Sequence, residues 1–219
     1  MCGRFFLDSQ PGDIIEHYNA PPPDMFAARY NIAPTTPVLA LNDSGFSLYR
    51  WGLIPSWAKD ITIGNRMFNA RAETIAEKPS FRSAYRRRRC LVPANGFYEW
   101  RMEHGHKQAY CCHIDHGLFS MAAVWEHWQD GDGNEIQSCA VITTESKGEM
   151  QDVHQRMPVA IAPQDYAQWL DCSSEQTGVA DQLLKQSAPG YRYYAVSSEV
   201  NNSRNEGSDL IVPLDASDI

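Results

Sequence analysis

Short apolar runs separated by polar turns recur along the whole chain, and most of them are too short for a long helix. Turn signals such as Asn-Asp-Ser-Gly at residues 42–45 and Asp-Gly-Asp-Gly-Asn at 130–134 separate neighbouring runs. This pattern predicts many short β-strands. The predicted strands are TPVLALN, FSLYRWGLI, CLVPANGFYEW, QAYCCHID, LFSMAAVWEHW, IQSCAVITT and YRYYAV.

Four other segments favour helices. Ser9 lies near the N-cap of the first, SQPGDIIEHYNA, and Pro163 suits the first turn of APQDYAQWL. The remaining two are EKPSFRSAYRRRR, which runs into a strand, and VADQLLKQ. Many strands with a few interspersed helices predict an α+β fold with a mostly antiparallel sheet, partly closed into a barrel. We expect one domain over residues 1–219, or 2–219 once Met1 is removed.

The composition, with 43% hydrophobic residues in a chain of 219, is ample for a packed core. No apolar run approaches a membrane span, and the N-terminus lacks the pattern of a signal peptide. We therefore expect a soluble, monomeric cytoplasmic protein with no membrane partner, associated with the nucleoid if the source is bacterial. In that compartment the six cysteines are expected to be reduced thiols.

The net charge of −8 argues at first against a nucleic-acid partner, but the charge is unevenly distributed. Residues 1–110 hold 14 basic and 10 acidic residues, and residues 111–219 hold 5 and 17. Eleven of the fourteen arginines lie in the first half, and the planar guanidinium suits phosphate recognition. A local basic face on an acidic protein and plain solvation explain this asymmetry equally well.

Two segments are rich in chemically active side chains, but neither points to one function: the histidine- and cysteine-rich EHGHKQAYCCHIDH and the arginines at 86–89. In EHGHKQAYCCHIDH no Cys-x-x-Cys pair occurs, and adjacent strand residues point to opposite faces, so we expect no metal site. The run of four arginines at 86–89 fits a nucleic-acid patch or a solvated helix end equally well. The candidate ligands in the first segment are His104, His106, Cys111, Cys112, His113 and His116.

The N-terminal sequence Met-Cys-Gly-Arg-Phe places a cysteine directly after the initiator methionine. Because methionine is usually removed before a small residue, we expect Cys2 to become the N-terminus. It would then carry an α-amine and a thiol on neighbouring carbons. The alternative is a small buried residue at the start of a strand.

Four polar residues inside structured stretches are candidates for chemistry. In RMFNARAET, Asn69 and Arg71 lie two apart and share a side if the segment is extended. Glu99 lies between Tyr98 and Trp100, so burial should raise its pKa and keep it protonated near neutrality. His154, in DVHQRMPVAIAP, lies just before a predicted apolar strand. Together with an activated Cys2 they form a stronger case than any of them alone.

Six sequence blocks occur in one order: MCGRF, YNIAP at 30–34, WGLIPSW at 51–57, NARAET at 69–74, CLVPANGFYEW at 90–100 and VHQRMPVAI at 153–161. In this order they resemble the SRAP (SOS-response-associated peptidase) family of abasic-site processing proteins. The resemblance spans nearly the whole chain, as far as the Asn-Ser-Arg-Asn tail near 202–205.

The resemblance implies covalent capture of abasic sites in single-stranded DNA, with no cofactor and no metal. The Cys2 amine attacks the open sugar aldehyde, and the thiol closes a thiazolidine ring on the imine carbon. An α-amine with a pKa of about 7.7–8.0 is partly nucleophilic at neutral pH. Roles in the SOS response, a thiol autopeptidase activity and strand scission at the abasic site are also implied.

The family roles transfer residue by residue. Asn69 resembles the amide that positions the Cys2 amine, Glu99 the proton-shuttling carboxylate, and His154 the second acid or base near the 3′ phosphate. Pro34 and Trp57 correspond to apolar wedges at a single-strand/duplex junction. Some relatives have a second tryptophan where this chain has Ala58. The implied phosphate contacts are Arg4 and Arg71, with Thr143 and Arg156 as weaker candidates.

Two other functions remain open from the sequence. Glutamine amidotransferases with an N-terminal nucleophile also begin Met-Cys-Gly, although no glutamine-binding block follows here. A non-catalytic binder of single-stranded DNA, with Cys2 incidental, is the third possibility.

Overall fold

The computed structural model describes residues 2–115 and 117–215. Met1, His116 and residues 216–219 are outside this part. Both ends of the expected 1–219 domain, and His116 of the histidine- and cysteine-rich segment, therefore lie outside the described residues. Among the described residues, no helix has the length and apolar character needed to cross a bilayer.

The regular elements of the described chain are mostly short strands. The strands are β1 (Phe5–Leu7), β2 (Arg29–Ile32), β3 (Pro37–Asn42), β4 (Gly45–Trp51), β5 (Asn69–Arg71), β6 (Arg89–Ala94), β7 (Gly96–Glu103), β8 (His106–His113), β9 (Phe119–Gln129), β10 (Glu135–Glu145), β11 (Arg156–Pro158), β12 (Ala160–Ile161) and β13 (Arg192–Val196). The α-helices are α1 (Pro11–Tyr18), α2 (Arg82–Arg87), α3 (Tyr166–Leu170) and α4 (Gly178–Gln186). Short 3₁₀ helices span Ile61–Arg66, Gly148–Asp152, Pro163–Asp165, Ser198–Asn201 and Ser208–Ile211.

Two sheets share the interior. The first is antiparallel, with strand order β13-β8-β7-β1-β2. The second has the order β11-β10-β4-β3-β6-β9-β12, and β10 also pairs with β9, so β10, β4, β3, β6 and β9 close a barrel. Two pairings in it are parallel, between β10 and β4 and between β10 and β5. The predicted α+β class and partly closed antiparallel sheet are confirmed.

The strand β6 shows why some apolar runs lack alternation. All six of its residues are buried, because one face packs on the core between barrel and first sheet and the other on a core beneath the helices. Cys90 and Val92 belong to the first core, and Leu91 belongs to the second. A strand covered on both faces has a continuous apolar sequence.

The predicted strand CLVPANGFYEW is in fact two strands in different sheets. The chain leaves the barrel at Ala94 and enters the first sheet at Gly96. Between them, Asn95 Oδ1 accepts hydrogen bonds from the backbone N–H groups of Asp8 (3.0 Å) and Ser9 (3.1 Å), which stabilises the crossing. The break sets β7 beside β1, so Glu99 lies in a strand adjacent to the one that follows Cys2.

The predicted apolar strand after His154 is also interrupted. β11 pairs with β10 and β12 pairs with β9, and Val159 lies between them. The Val159 N–H donates to the Ile142 carbonyl, and its own carbonyl accepts from the Ala122 N–H. The segment therefore bridges two strands of the barrel.

The two ambiguous segments fold as structural elements. Cys111 and Cys112 lie in different cores, which confirms their opposite orientations, and no group of three His, Cys, Asp or Glu residues suited to a metal ion occurs within residues 2–115 and 117–215. Of the four arginines, Arg87 and Arg88 pair with Glu175 and Glu126. Arg89 is buried and donates to the carbonyls of Trp169, Tyr85 and Asp171. The run is therefore split between surface and core.

Candidate active site

Cys2 lies in the interior, three residues before β1, and its side chain is fully buried. It belongs to the core between the first sheet and the barrel. Burial, with a contribution from the negative charge of Glu99, raises the pKa of the Cys2 thiol far above its ordinary value. The thiol is therefore protonated at neutral pH in this arrangement, and it needs a nearby base before it can act as a thiolate.

Glu99 is the carboxylate whose charge acts on the Cys2 thiol, and only 3% of its surface is exposed. Alternation along β7 places its neighbours Tyr98 and Trp100 against another core, on the opposite face of the sheet. Burial raises the pKa of Glu99 to about 7. The expected burial and raised pKa are found, but Tyr98 and Trp100 lie on the opposite face and do not supply that burial. Glu99 exists in both protonation states near neutrality.

His154 follows the 3₁₀ helix Gly148–Asp152, and its Nδ1 lies 3.9 Å from Glu99 Oε1. The backbone N–H of Arg156 donates to the same nitrogen at 2.9 Å, which holds the ring in place. Burial lowers the pKa of His154. The imidazole is therefore mainly neutral at pH 7 and available as a proton acceptor beside the carboxyl group of Glu99.

Asn69 connects the barrel to the N-terminal segment. Its Nδ2 donates to the Cys2 carbonyl oxygen at 2.6 Å. Its Oδ1 is buried and accepts no hydrogen bond from the described residues. Since buried polar atoms normally have partners, this oxygen is a suitable acceptor for an N–H donor close to Cys2.

A polar groove with a volume of about 530 Å³ carries two of the predicted phosphate ligands. β5 holds both Asn69 and Arg71, so the strand period directs them to the same side, as expected. Arg71 is exposed in the groove, whereas the Arg156 side chain is only 14% exposed. The groove is lined by Arg71, Glu145, Ser146, Gln151, Gln155 and Arg156.

Thr143 and Arg4 lie deeper than the predicted phosphate contacts would suggest. Thr143 is 1% exposed and accepts from Arg156 Nη2 at its carbonyl (2.6 Å) and hydroxyl (3.2 Å). Arg4 Nη1 donates to Asn31 Oδ1 (2.7 Å) and to the Val200 carbonyl (2.8 Å), and its guanidinium lies 5.8 Å from the Trp100 ring centroid. Thr143 is placed to hold Arg156, and Arg4 is partly occupied by protein contacts.

The two predicted wedge residues lie on surface turns. Trp57 is 58% exposed, although the loop that carries it is anchored where Trp128 Nε1 donates to the Ala58 carbonyl at 2.7 Å. Pro34 is half-buried in the turn between β2 and β3. An exposed tryptophan on an anchored loop is well suited to stacking on a base.

One close backbone contact supports this loop. Gly52, at φ +142°, faces Gly64 so closely that an added Cβ would lie 2.4 Å from the Gly64 carbonyl oxygen. Only glycine fits there, because the left-handed region and the lack of space both exclude a side chain. The loop from Gly52 to Gly64 is therefore closed at its base.

Comparison with known proteins places this arrangement in a family. The model of the SOS response associated peptidase (SRAP) family matches residues 1–203. The chain is 39% identical over 221 residues to the abasic site processing protein YoqW of Bacillus subtilis, covering 96% of this chain and 99% of that protein. It is 30% identical to the abasic site processing protein HMCES of Rattus norvegicus, covering 88% and 67%.

The chain belongs to the SRAP family.

Two solved structures agree with the assignment. A protein from Bacteroides thetaiotaomicron superposes with a TM-score of 0.87 over 97% of this chain and all of the other, at 24% identity, which shows the shared fold. A phage-related protein from Bordetella bronchiseptica gives a TM-score of 0.72 at 30% identity, over 90% of this chain and 95% of that one. The family resemblance predicted from the six sequence blocks is confirmed.

Sequence reasoning on this SRAP chain missed two residues that organise the site. Asn31 is fully buried, and its Nδ2 donates to the carbonyls of Asn202 and Asn205, each at 3.0 Å, which ties β2 to the tail. Glu73 forms a bidentate ion pair with Arg156. Both lie inside the blocks YNIAP and NARAET, so a polar residue within a specific block was the available signal.

Proposed function

We propose that this protein captures abasic sites in single-stranded DNA through a covalent thiazolidine bond to Cys2. The observation that carries the proposal is the convergence of Asn69, Glu99 and His154 on the N-terminal segment that begins with Cys2. The names of the relatives, abasic site processing proteins, support the choice of substrate. The proposal requires that Met1 is removed, so that Cys2 bears the α-amine.

The reaction joins two nucleophiles of Cys2 to one carbon. The amine adds to the C1′ aldehyde of the open sugar, and the resulting carbinolamine loses water to give an imine. The thiol then adds across the C=N bond: a C–S bond forms, and the thiol proton ends on the nitrogen. The net change is loss of one water, and no cofactor takes part.

The described residues can divide the proton transfers between them. Glu99, with a pKa of about 7, can protonate the departing carbinolamine hydroxyl and then accept the proton of the Cys2 thiol. Asn69 Oδ1 can accept an N–H of the amine and so aim its lone pair at the aldehyde. The high pKa of the thiol indicates that the amine acts first.

Strand scission is a second outcome of the same imine. A proton leaves C2′ of the sugar to a base, the electron pair forms a C=C bond, and the 3′ phosphate departs. His154, neutral at pH 7 and 3.9 Å from Glu99, is the candidate base. Thiazolidine closure competes with this elimination, because it consumes the imine.

A denaturing gel after incubation with abasic single-stranded DNA tests the proposal. We expect a stable adduct whose mass equals protein plus DNA minus one water, on a chain that begins at Cys2. Cys2→Ala should abolish it, whereas Cys112→Ala, which removes another fully buried thiol from the same core, should not.

Three results would contradict the proposal. A stable adduct mapped to a lysine would exclude the thiazolidine. Glutamine hydrolysis without an adduct would indicate an amidohydrolase that uses Cys2 as its nucleophile. Retention of DNA under native conditions alone would indicate a non-covalent binder.

A further inference from the structure

The guanidinium of Arg156 is already occupied in the DNA-free protein. Nη1 donates to Glu73 Oε1 at 2.8 Å and Nη2 to Glu73 Oε2 at 3.0 Å, a bidentate pair. Nη2 also donates to the Thr143 carbonyl at 2.6 Å. One edge of the guanidinium, the edge that would grip two phosphate oxygens, is thereby closed by a carboxylate.

The other edge of Arg156 is out of reach. Nε is buried and has no hydrogen-bond partner among residues 2–115 and 117–215, and the whole side chain is 14% exposed. A phosphate therefore cannot bind Arg156 while Glu73 is in place. Electrostatically the pair is neutral, so the closed arrangement offers DNA no charge from this arginine.

Glu73 is placed so that it can leave. Its side chain is 43% exposed, while that of Arg156 is mostly enclosed, so rotation of Glu73 into solvent disturbs little of the interior. Partial burial opposes ionisation, but hydrogen bonds from Arg156 and from backbone N–H groups outweigh it and lower the pKa of Glu73. The carboxylate is thus ionised at neutral pH, and its solvent-exposed side leaves the pair open to competition by another anion.

The groove beside this pair has unmet hydrogen-bonding capacity. Ser146 lines it and is buried, and its hydroxyl has no partner within the described chain. Buried polar atoms without a protein partner are rare in folded proteins, so the Ser146 hydroxyl can bond a group that enters the groove. Arg71 is exposed in the same groove and offsets the charge of Glu145, so the groove favours an anion once Arg156 is released from Glu73.

We propose that Glu73 is a competitive latch on a phosphate subsite, and that a DNA backbone phosphate must displace its carboxylate from Arg156 to bind beside Arg71 and Ser146. The identity of the ligand rests on the proposed function. The latch lowers the apparent affinity of the subsite by the fraction of time that it is open. A weakly bound anion does not displace the Glu73 carboxylate from Arg156, whereas single-stranded DNA that is held by its other contacts does.

Affinity for an undamaged single-stranded oligonucleotide, measured over a range of salt concentrations, tests the latch. Glu73→Gln keeps the shape of the side chain and removes its charge. If the latch is closed about nine-tenths of the time, the variant should bind about tenfold more tightly. The slope of log K against log salt should stay close to that of the wild type, because the phosphate contacts Arg156 in the bound state of both proteins.

Glu145→Gln is the matched control, because it removes an exposed carboxylate from the same groove. Glu145 lies opposite Arg156 on the neighbouring strand, and its side chain forms no ion pair with Arg156 in the described chain. It should change the affinity less and leave the slope unchanged. In an Arg156→Ala background, Glu73→Gln should lose its effect, since latch and subsite then disappear together. Thermal melts of all variants check that they are folded.

Two results would overturn the latch. If Glu73→Gln weakens binding as much as Arg156→Ala, then Glu73 holds the arginine in its binding orientation. If Glu73→Gln binds with the affinity of the wild type, Arg156 is not gated. The same variants on abasic DNA in a denaturing gel separate the two proposals: a wild type that binds without cross-linking contradicts the covalent function and leaves the latch test valid.

Discussion

Glu99 should be costly to stability and necessary for the reaction, and the two effects can be measured in one variant. Its pKa rises from the ordinary 4.5 to about 7 because the carboxylate is buried. At 1.36 kcal/mol per pKa unit, ionised Glu99 costs the folded state about 3 kcal/mol. Between pH 4.5 and pH 7 the folded protein binds more protons than the unfolded one. The loss of stability therefore begins near pH 4.5, grows as the pH rises, and levels off above pH 7.

Glu99→Gln removes the titration and retains the shape. We expect the variant to gain about 2–3 kcal/mol relative to the wild type between pH 5 and pH 8, because part of the cost is already present at pH 5. The gain is measured as the change in their difference in unfolding free energy. Effects of the substitution on packing are the same at both pH values and cancel. Urea unfolding at the two pH values gives the quantity directly.

Cross-linking by the same variant should slow by 10²–10⁴-fold, the usual effect of losing a general acid or base, while DNA affinity is maintained. Glu77→Gln is the control, because it removes a surface-exposed carboxylate and should alter neither stability nor rate. Equal stability differences at pH 5 and pH 8 would refute the argument from burial. A wild-type cross-linking rate would show that Glu99 is not the acid.

Three further predictions concern the rest of the site. His154→Ala should remove one limb of the pH–rate profile for strand scission or adduct reversal, with little change in affinity; a wild-type profile over pH 5–8 would make His154 structural. Trp57→Ala should weaken binding of single-stranded DNA by about 1–3 kcal/mol through lost stacking, and Met102→Ala, which trims a similarly exposed residue, should leave the titration curve unchanged. Arg71→Ala should flatten the slope of log K against log salt for single-stranded DNA by the value of about one phosphate contact, whereas Arg86→Ala on α2 should leave that slope unchanged. A wild-type slope in Arg71→Ala with a flatter slope in Arg86→Ala would move the binding face to that helix.

Local sequence patterns determined much of this protein. Strand alternation explains why Glu99 points away from Tyr98 and Trp100, and why Asn69 and Arg71 share a side. These are properties of a few consecutive residues, because the period of a strand is set by backbone geometry. The six ordered blocks identified the family for the same reason, since each block is contiguous.

Only the tertiary structure decided which distant segments meet. The switch of sheets at Asn95 depends on hydrogen bonds from Asp8 and Ser9, which lie more than 80 residues earlier in the chain. Likewise the sequence did not reveal that Arg89 is buried against carbonyls near α3, or that Glu73 closes on Arg156. Such contacts arise when the barrel closes and brings separate strands together, and no local pattern encodes the partner. Burial, which sets the pKa of Cys2 and the accessibility of Arg156, is decided by the same closure.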